Sequence, residues 1–487
     1  QHTDEYIKNE LEPSRSNFRG RLEEVFNYDK FSAPWRVGDF WFIYKQEGLS
    51  AQTVLYKQTG LDGEPEILLD PNQLSADGTS SLHSMDISKD GKLLVYGISK
   101  NGSDWFSIYV RDVKTVQDLP DVVNWCKFGS MAWEEHGRGF FYSAFARQQK
   151  LEESGKSAGT EVEVATGHRI MYHRLGTESS KDQLVYQSPS NEKWLVSPEV
   201  TDDWKTLLIS TGDSCDPVNR QVTQQRRALF YRDLSAFDGE NISTLGPAVK
   251  LVDNFDSLYA YVTNEGREFW FRTNLGASRY KVVKMELPPI GSALEKDEAA
   301  LAKIEKTTVV PEHETGVLTD VSVVAGDRLI LTFEKDAYVQ LELCDLSGRR
   351  RKLIDVPGIG NIGSVLSGKK YDHFTFKFTN FVTPGIIFHG IIEKSADREA
   401  NVKLKVLKEM KVPGICGDDF ETKQVRYKSK DGTVVPMFVF GRKQAAGPSP
   451  CVLYGYGGFN ISMNPNFSAS RLLFVQHFGG RFCVANI

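Results

Sequence analysis

The chain has 487 residues, more than one compact core holds, so two or more domains are expected. Hydrophobic residues make up 40% and charged residues 25%, an ordinary globular mix. Lys and Arg number 59 against 64 Asp and Glu, a net charge of −5 that argues against nucleic acid as a partner, and no apolar run reaches the roughly 18 residues needed to cross a bilayer. The basic run RRR at 349–351, flanked by LSG and KLIDV, reads as a solvated turn.

Taken in chain order, the polar start QHTDEYIKNELEPS does not read as a secretory signal. TDEYIKNELE and RGRLEEVFNY carry helical spacing. The pattern then changes. A polar turn followed by an alternating apolar strand recurs seven times: RVGDFWFIYKQE (36–47), SKDGKLLVYGIS (88–99), EEHGRGFFYSAF (134–145), TDDWKTLLISTG (201–212), TNEGREFWFRTN (263–274), VAGDRLILTFEK (324–335) and SGKKYDHFTFKF (367–378). Each copy is followed by a second strand, from TVLYKQTG (53–60) and SIYVRDVK (107–114) to GIIFHGII (385–392). Four-stranded propeller blades repeat at roughly 40–50 residues, lengthened by insertions. Seven copies therefore predict a seven-bladed β-propeller over about 28–411. A sandwich needs no such repetition, and a parallel β-helix repeats at much shorter intervals. Within it, GSALEKDEAALAKI (291–304) reads as a helical surface insertion.

After KVPGI (411–415), QVRYKSKDGTVVPMFVFGRK reads as a hairpin around DG (431–432). PCVLYGYGGFN and RLLFVQHFGGRFCVANI come next, short apolar strands separated by a Gly-rich turn and a helical stretch, as at the beginning of an α/β domain. The last run reads as a buried strand with no terminator, so the chain is expected to be part of a longer one, cut at both ends. The overall expectation is a mainly β chain: a helical segment 1–27, a propeller 28–411, and an incomplete α/β domain 412–487.

Cys126, Cys215, Cys344, Cys416, Cys451 and Cys483 are far apart in sequence and form no C-x-x-C, which fits reduced thiols in the cytosol. His168 and His173 lack the Cys or third ligand of a metal site, so no metal is expected. GKSAG (155–159) matches G-x-S-x-G, but a nucleophile elbow needs a strand before it and a helix after it. The flanks KLEES and TEVEV supply neither, and Ser157 reads as a loop residue.

The combination of a propeller with YKSKDGTVVPMFVF and LYGYGGFNISMNPNFSASRL resembles the prolyl oligopeptidase family of serine peptidases. FSAPWRV, LLDPNQLSADGT, YGISKNGSDW, KFGSMAW, SCDPVNR and VTPGIIFH look like further family landmarks, and together they span nearly the whole chain. The YGYGGF turn favours the prolyl branch over the related oligopeptidase B.

The resemblance implies an α/β-hydrolase domain split around the propeller, with 1–27 as the tail of its first piece and 412–487 as the head of its second. The family's Ser, Asp and His triad lies further downstream and matches no position here. By the same resemblance Tyr456, the middle tyrosine of Y-G-Y-G-G-F, donates its hydroxyl to the tetrahedral oxyanion. Phe459 in the same turn, Phe128 in KFGSMAW and Cys215 in SCDPVNR match residues that line the substrate pocket. Leu195, after Trp194, stands where the family often has Met. TGDS stands where many members carry an arginine just before the cysteine. The packed-core reading of each of these apolar residues stands beside the functional one. The expected protein is a monomeric, cytoplasmic serine endopeptidase that cuts short peptides after proline, needs no cofactor, and has its access limited by the propeller. The other reading is a non-catalytic propeller that acts as an interaction module.

Overall fold

The computed structural model describes residues 2–145, 166–212, 228–252, 255, 257–394, 400–443, 447–456 and 462–486. Among them, seven consecutive antiparallel sheets are each built from strands adjacent in the chain. The second sheet is typical: Ser81–Ile87, Leu93–Ser99, Trp105–Asp112 and Asp118–Lys127 follow one another in space as in sequence. The two strands legible in each repeat are the middle two of each sheet. They are the most apolar because neighbouring sheets cover them on both faces. Gly139–Phe145 in the third sheet is buried at every position.

The sheets pack face to face in series. Leu55 and Leu68 of the first meet Leu94 and Ile98 of the second. Phe106 and Val110 of the second meet Trp133 and Phe140 of the third. The same pairing continues to Leu331 of the sixth against Trp270 of the fifth, and to Phe374, Phe376 and Phe378 of the seventh against Leu341 and Leu343 of the sixth. The seventh sheet then lies against the first through Ile387, Met410 and Ala33. This is a propeller-type arrangement. The innermost strand of the first sheet is broken at Pro34, which has no N–H to give the ladder. Lys30–Phe31 and Trp35–Val37 therefore pair separately with Phe40–Gln46.

The insertion at 291–304 is less helical than its spacing predicts. It forms a 3-10 turn, Ala293–Lys296, and one short helix, Glu298–Leu301. Tertiary anchoring outweighs propensity here: Leu301 is buried, and Tyr231 donates its hydroxyl to Glu295 at 2.9 Å.

Residues outside the seven sheets meet one another. Helix Glu12–Phe26 places Phe18, Leu22 and Val25 against Ala469 and Leu473 of helix Ala469–Phe478. That second helix is capped by Ser468, whose hydroxyl accepts the Arg471 N–H, and ends on Gly479 at φ 59°. The eighth sheet runs Phe420–Lys428, Val434–Arg442, Arg481–Ala485, Cys451–Gly455, with its last pair parallel. The hairpin around Asp431 and Gly432 forms as its sequence predicts: Gly432 takes φ 85° and donates to Ser429 at 3.0 Å. Phe438 and Phe440 dock this sheet on Phe381 of the seventh, the Phe381–Phe440 rings stacking 5.7 Å apart.

One buried ionic network crosses the second and third sheets. His173, fully buried, has Nδ1 2.7 Å from Asp182 and Nε2 3.2 Å from Asp121. Tyr142 donates to the same Asp182 at 2.7 Å. Burial alone pushes the imidazole pKa down, but the bonds and charges of Asp182 and then Asp121 outweigh it and hold the pKa above its usual value. A raised histidine stabilises the fold fully below its ordinary pKa, and that stability is lost as pH rises through the folded value. His173→Gln is therefore expected to cost about 3–5 kcal/mol in urea unfolding near pH 6, because it leaves buried charge unpaired. The difference from wild type should shrink as pH is raised.

Candidate functional site

Tyr456 follows directly on strand Cys451–Gly455. That strand pairs in parallel with Arg481–Ala485, Gly455 opposite Ala485, so Tyr456 stands at the carboxyl end of the parallel pair. Open α/β sheets bind ligands at that end. The chain beyond the turn is tied to the same place: the Met463 N–H donates to the Asn486 side chain at 3.1 Å, and the Asn486 N–H donates to the Pro436 carbonyl at 3.0 Å. Tyr456 is 38% exposed. Its hydroxyl has no hydrogen-bond partner among the described residues, so it is free to donate to an incoming group. The neighbouring Tyr454 lies under the Arg471 guanidinium, which also covers Phe482. Phe459, Cys215 and Ser157 fall outside the described residues.

The segments that carry Phe128 and Leu195 are joined by a residue to which the sequence pattern assigns no role. His168 is buried, with Nδ1 accepting the Val196 N–H at 2.9 Å and Nε2 3.3 Å from the Lys127 carbonyl. One imidazole thus bridges the segment before Phe128 to the segment after Leu195. Its two bonds fix the neutral tautomer, with the proton on Nε2. Burial lowers its pKa to about 4, only partly offset by the bond to Lys127. The signal available in the sequence is His168 at the head of the apolar strand HRIMYHR, a polar group entering a buried element.

Around this bridge lies an aromatic group. Phe128 is half exposed and sits at φ 53°, with the Lys127 amine 4.8 Å from its ring centre. Trp125, also left-handed at φ 59°, falls where strand Asp118–Lys127 bulges opposite Trp105–Asp112. Two aromatic residues in this conformation each cost about 1–3 kcal/mol, a strain that clusters at binding sites. The bulge turns Trp125 edge-on to Trp105 at 5.7 Å, and both line a cavity of about 230 Å³ with Phe106 and Lys100. Phe145 joins Trp105 to His168, with ring centres 6.2 and 4.6 Å away. Leu195 is half buried and pairs with Gly212. Tyr456 lies on the eighth sheet and shares no hydrogen bond or ring contact with this group.

The ring of sheets encloses a further cavity of about 540 Å³, lined by Arg36, Asp86, Trp133, Glu199 and Lys369 from five sheets and their turns. Burial pushes the Asp86 carboxyl up to about 6, opposed by the Trp133 and Ile87 N–H donors. Among the described residues no three His, Cys, Asp or Glu side chains gather as a metal ion requires. Cys451 and Cys483, distant in sequence, are neighbours on the parallel pair, with sulfurs 3.6 Å apart.

The chain thus joins a propeller-type arrangement that carries an aromatic pocket to a mixed sheet with an unbonded tyrosine hydroxyl at its parallel end. Residues 1–398 match the family model described as "Prolyl oligopeptidase, N-terminal beta-propeller domain", and the chain belongs to the prolyl oligopeptidase family. It is similar to "Prolyl oligopeptidase A" of Amanita bisporigera, 32% identical over 98% of this chain and 61% of that protein. It is also similar to "Prolyl endopeptidase" of Dictyostelium discoideum, 30% identical over 96% of this chain and 64% of that protein. The chain thus spans under two thirds of the length of these relatives. Among solved structures, one from a study of two prolyl endopeptidases superposes with a TM-score of 0.81 at 28% identity, covering 100% of this chain and 65% of that one. Prolyl oligopeptidase B of Galerina marginata, bound to a 25mer macrocyclization substrate, gives 0.81 at 25% identity, covering 100% and 67%.

A depressed histidine stabilises fully above its ordinary value, and that stability is lost as pH falls toward the folded one. For His168 the window runs from the usual 6.5 down to about 4. Full protonation there costs about 3 kcal/mol. His168→Gln keeps a donor and an acceptor but cannot titrate. In urea unfolding between about pH 7 and pH 4 it is expected to lose part of the wild-type acid sensitivity. An acid limb identical to wild type overturns the bridging role.

Proposed function

We propose that the protein is a prolyl oligopeptidase, a serine endopeptidase that hydrolyses short peptides on the carboxyl side of proline. In this reading residues 28–411 form a seven-bladed propeller that limits access, and 1–27 with 412–487 belong to the split α/β-hydrolase domain. The attacking serine, with its aspartate and histidine, belongs to the remainder of the protein. The enzyme works as a cytoplasmic monomer without a cofactor.

What this chain's residues contribute is transition-state stabilisation and a pocket wall. When the serine oxygen adds to the carbonyl after proline, negative charge develops on the carbonyl oxygen. The Tyr456 phenol donates its hydroxyl to that oxygen, stronger in the tetrahedral state than in the ground state. Phe128, held through Lys127 and His168, offers an aromatic face to the substrate, with Leu195 as apolar wall. By family resemblance Phe459 and Cys215, which lie outside the described residues, are proposed as further substrate-binding residues. The observation that carries the reading is the free, exposed hydroxyl of Tyr456 at the carboxyl end of the parallel pair.

Tyr456→Phe in the whole protein removes one donor and keeps the ring. It should lower kcat by about 10²–10³-fold with KM nearly unchanged. A loss smaller than about three-fold overturns the oxyanion role, that being well below what one such donor supplies. For the reaction itself, the whole protein should release the reporter group from a Gly-Pro peptide and leave a Gly-Ala peptide intact. No release from the Gly-Pro peptide by protein with an unmodified serine nucleophile overturns the assignment.

A further inference from the structure

The junction of the first and seventh sheets differs from the other six. Each sheet is complete in itself, so no strand of the chain's last repeat joins the first sheet. Fourteen buried apolar residues, three of them phenylalanines on one strand, fill the space between the sixth and seventh sheets. Between the seventh and first the buried cluster holds three, Ala33, Ile387 and Met410, with Trp41 buried beside the seventh sheet's histidines. Two cavities border this junction. One of about 620 Å³ is lined by Phe31, Tyr44 and Lys377, and one of about 270 Å³ by Phe31, Ile387 and Lys408.

The cause lies in one strand. In His373–Thr379 the residues alternate between faces. Phe374, Phe376 and Phe378 face the sixth sheet. His373, Thr375 and Lys377 therefore face the first. His389 joins them from Gly385–Lys394, its backbone paired with Thr375. Across the junction Trp41 stacks on His373 at 4.9 Å and meets His389 edge-on at 6.2 Å. The two imidazoles are 5.6 Å apart. The Nε2 atom of each is buried and has no hydrogen-bond partner.

We infer that this junction is an acid-sensitive seam, which parts when His373 and His389 take up protons. The neutral imidazoles pack on Trp41, His373 stacked and His389 edge-on, and keep their bare nitrogens in apolar surroundings. A proton on either Nε2 needs an acceptor or water that the closed seam does not provide. The charges facing the pair are Asp372, Arg36, Lys405 and Asp62. Asp372 answers one imidazole, 3.3 Å from His373 Nδ1, but not a second charge 5.6 Å away. Burial depresses both histidines, and His373 and Lys405 depress His389 further. Lys377 and Lys408, also at this junction, are depressed by burial too. The closed seam thus disfavours positive charge at His373, His389, Lys377 and Lys408, whereas Lys45 at its edge is held up by Glu47. Direct bonds across it are few: Gly38 N–H to the Tyr371 hydroxyl at 3.1 Å, Thr375 to the Pro34 carbonyl, and Phe31 N–H to the Met410 sulfur at 3.4 Å.

A closed seam that binds fewer protons than an open one opens as pH falls below the ordinary histidine value of 6.5. The test is amide hydrogen exchange of the whole protein at about pH 7.5 and pH 5, corrected for intrinsic rates, with the fifth sheet (259–286) as internal reference. Peptides covering 30–46 and 371–394 should exchange faster relative to the reference at the lower pH than at the higher. The His373→Gln/His389→Gln variant should lose that acceleration. Equal protection of the seam and the reference at both values in wild type overturns the inference without recourse to a variant. An acceleration retained in the variant overturns the assignment to these histidines.

Discussion

Everything in this molecule rests on sheets packing face to face in a ring. A four-stranded antiparallel sheet with two apolar faces is unstable alone, and each of the seven is covered on both sides by neighbours. That requirement dictates the middle strands. It also fixes register, since a slip of one residue along His373–Thr379 would exchange three phenylalanines for His373, Thr375 and Lys377. The same arithmetic makes a one-sided strand conspicuous. Where the face toward a neighbour turns polar, as in the seventh sheet against the first, titratable groups enter the packing between sheets.

Most of this was legible in the sequence because each repeat sets an alternating, largely apolar strand after a polar turn. The repeat located seven strand pairs, and all fourteen strands are present in the structure. The innermost and outermost strands were harder to see. Met131–Trp133 and Lys352–Ile354 have three residues each, too short for periodicity to register. The helical spacing at 291–304 overstated the helix because Leu301 and Glu295 are held by the neighbouring sheets rather than by local propensity. His168 and His173, five apart, raise only a metal question in the sequence. The fold separates them, sending His173 into an Asp pair and His168 into a backbone bridge.

The site shows a similar division. Tyr456 announces itself by a Gly-rich turn after an apolar strand, a pattern readable without coordinates of any kind. The bridge through His168, the bulge at Trp125 and the left-handed Phe128 depend on contacts between residues tens of positions apart. No local pattern encodes them. The Cys451 and Cys483 thiols are another case, since a parallel pairing brings together residues that sequence spacing keeps apart.

The meeting of helix Glu12–Phe26 with helix Ala469–Phe478 has a consequence for the order of folding. In an unfolded chain the closure cost for two such distant segments rises only with the logarithm of the intervening length, yet it must be met before their contacts return anything. The ring changes that sum. Once the first and seventh sheets touch, the Phe31 N–H on the Met410 sulfur joins the two ends of the intervening loop. The helices are then separated by residues 27–30 on one side and 411–468 on the other rather than by the whole propeller. A noncovalent junction acts as a cross-link, so bringing Phe18 and Leu22 against Leu473 closes a shorter loop than it does in the open chain.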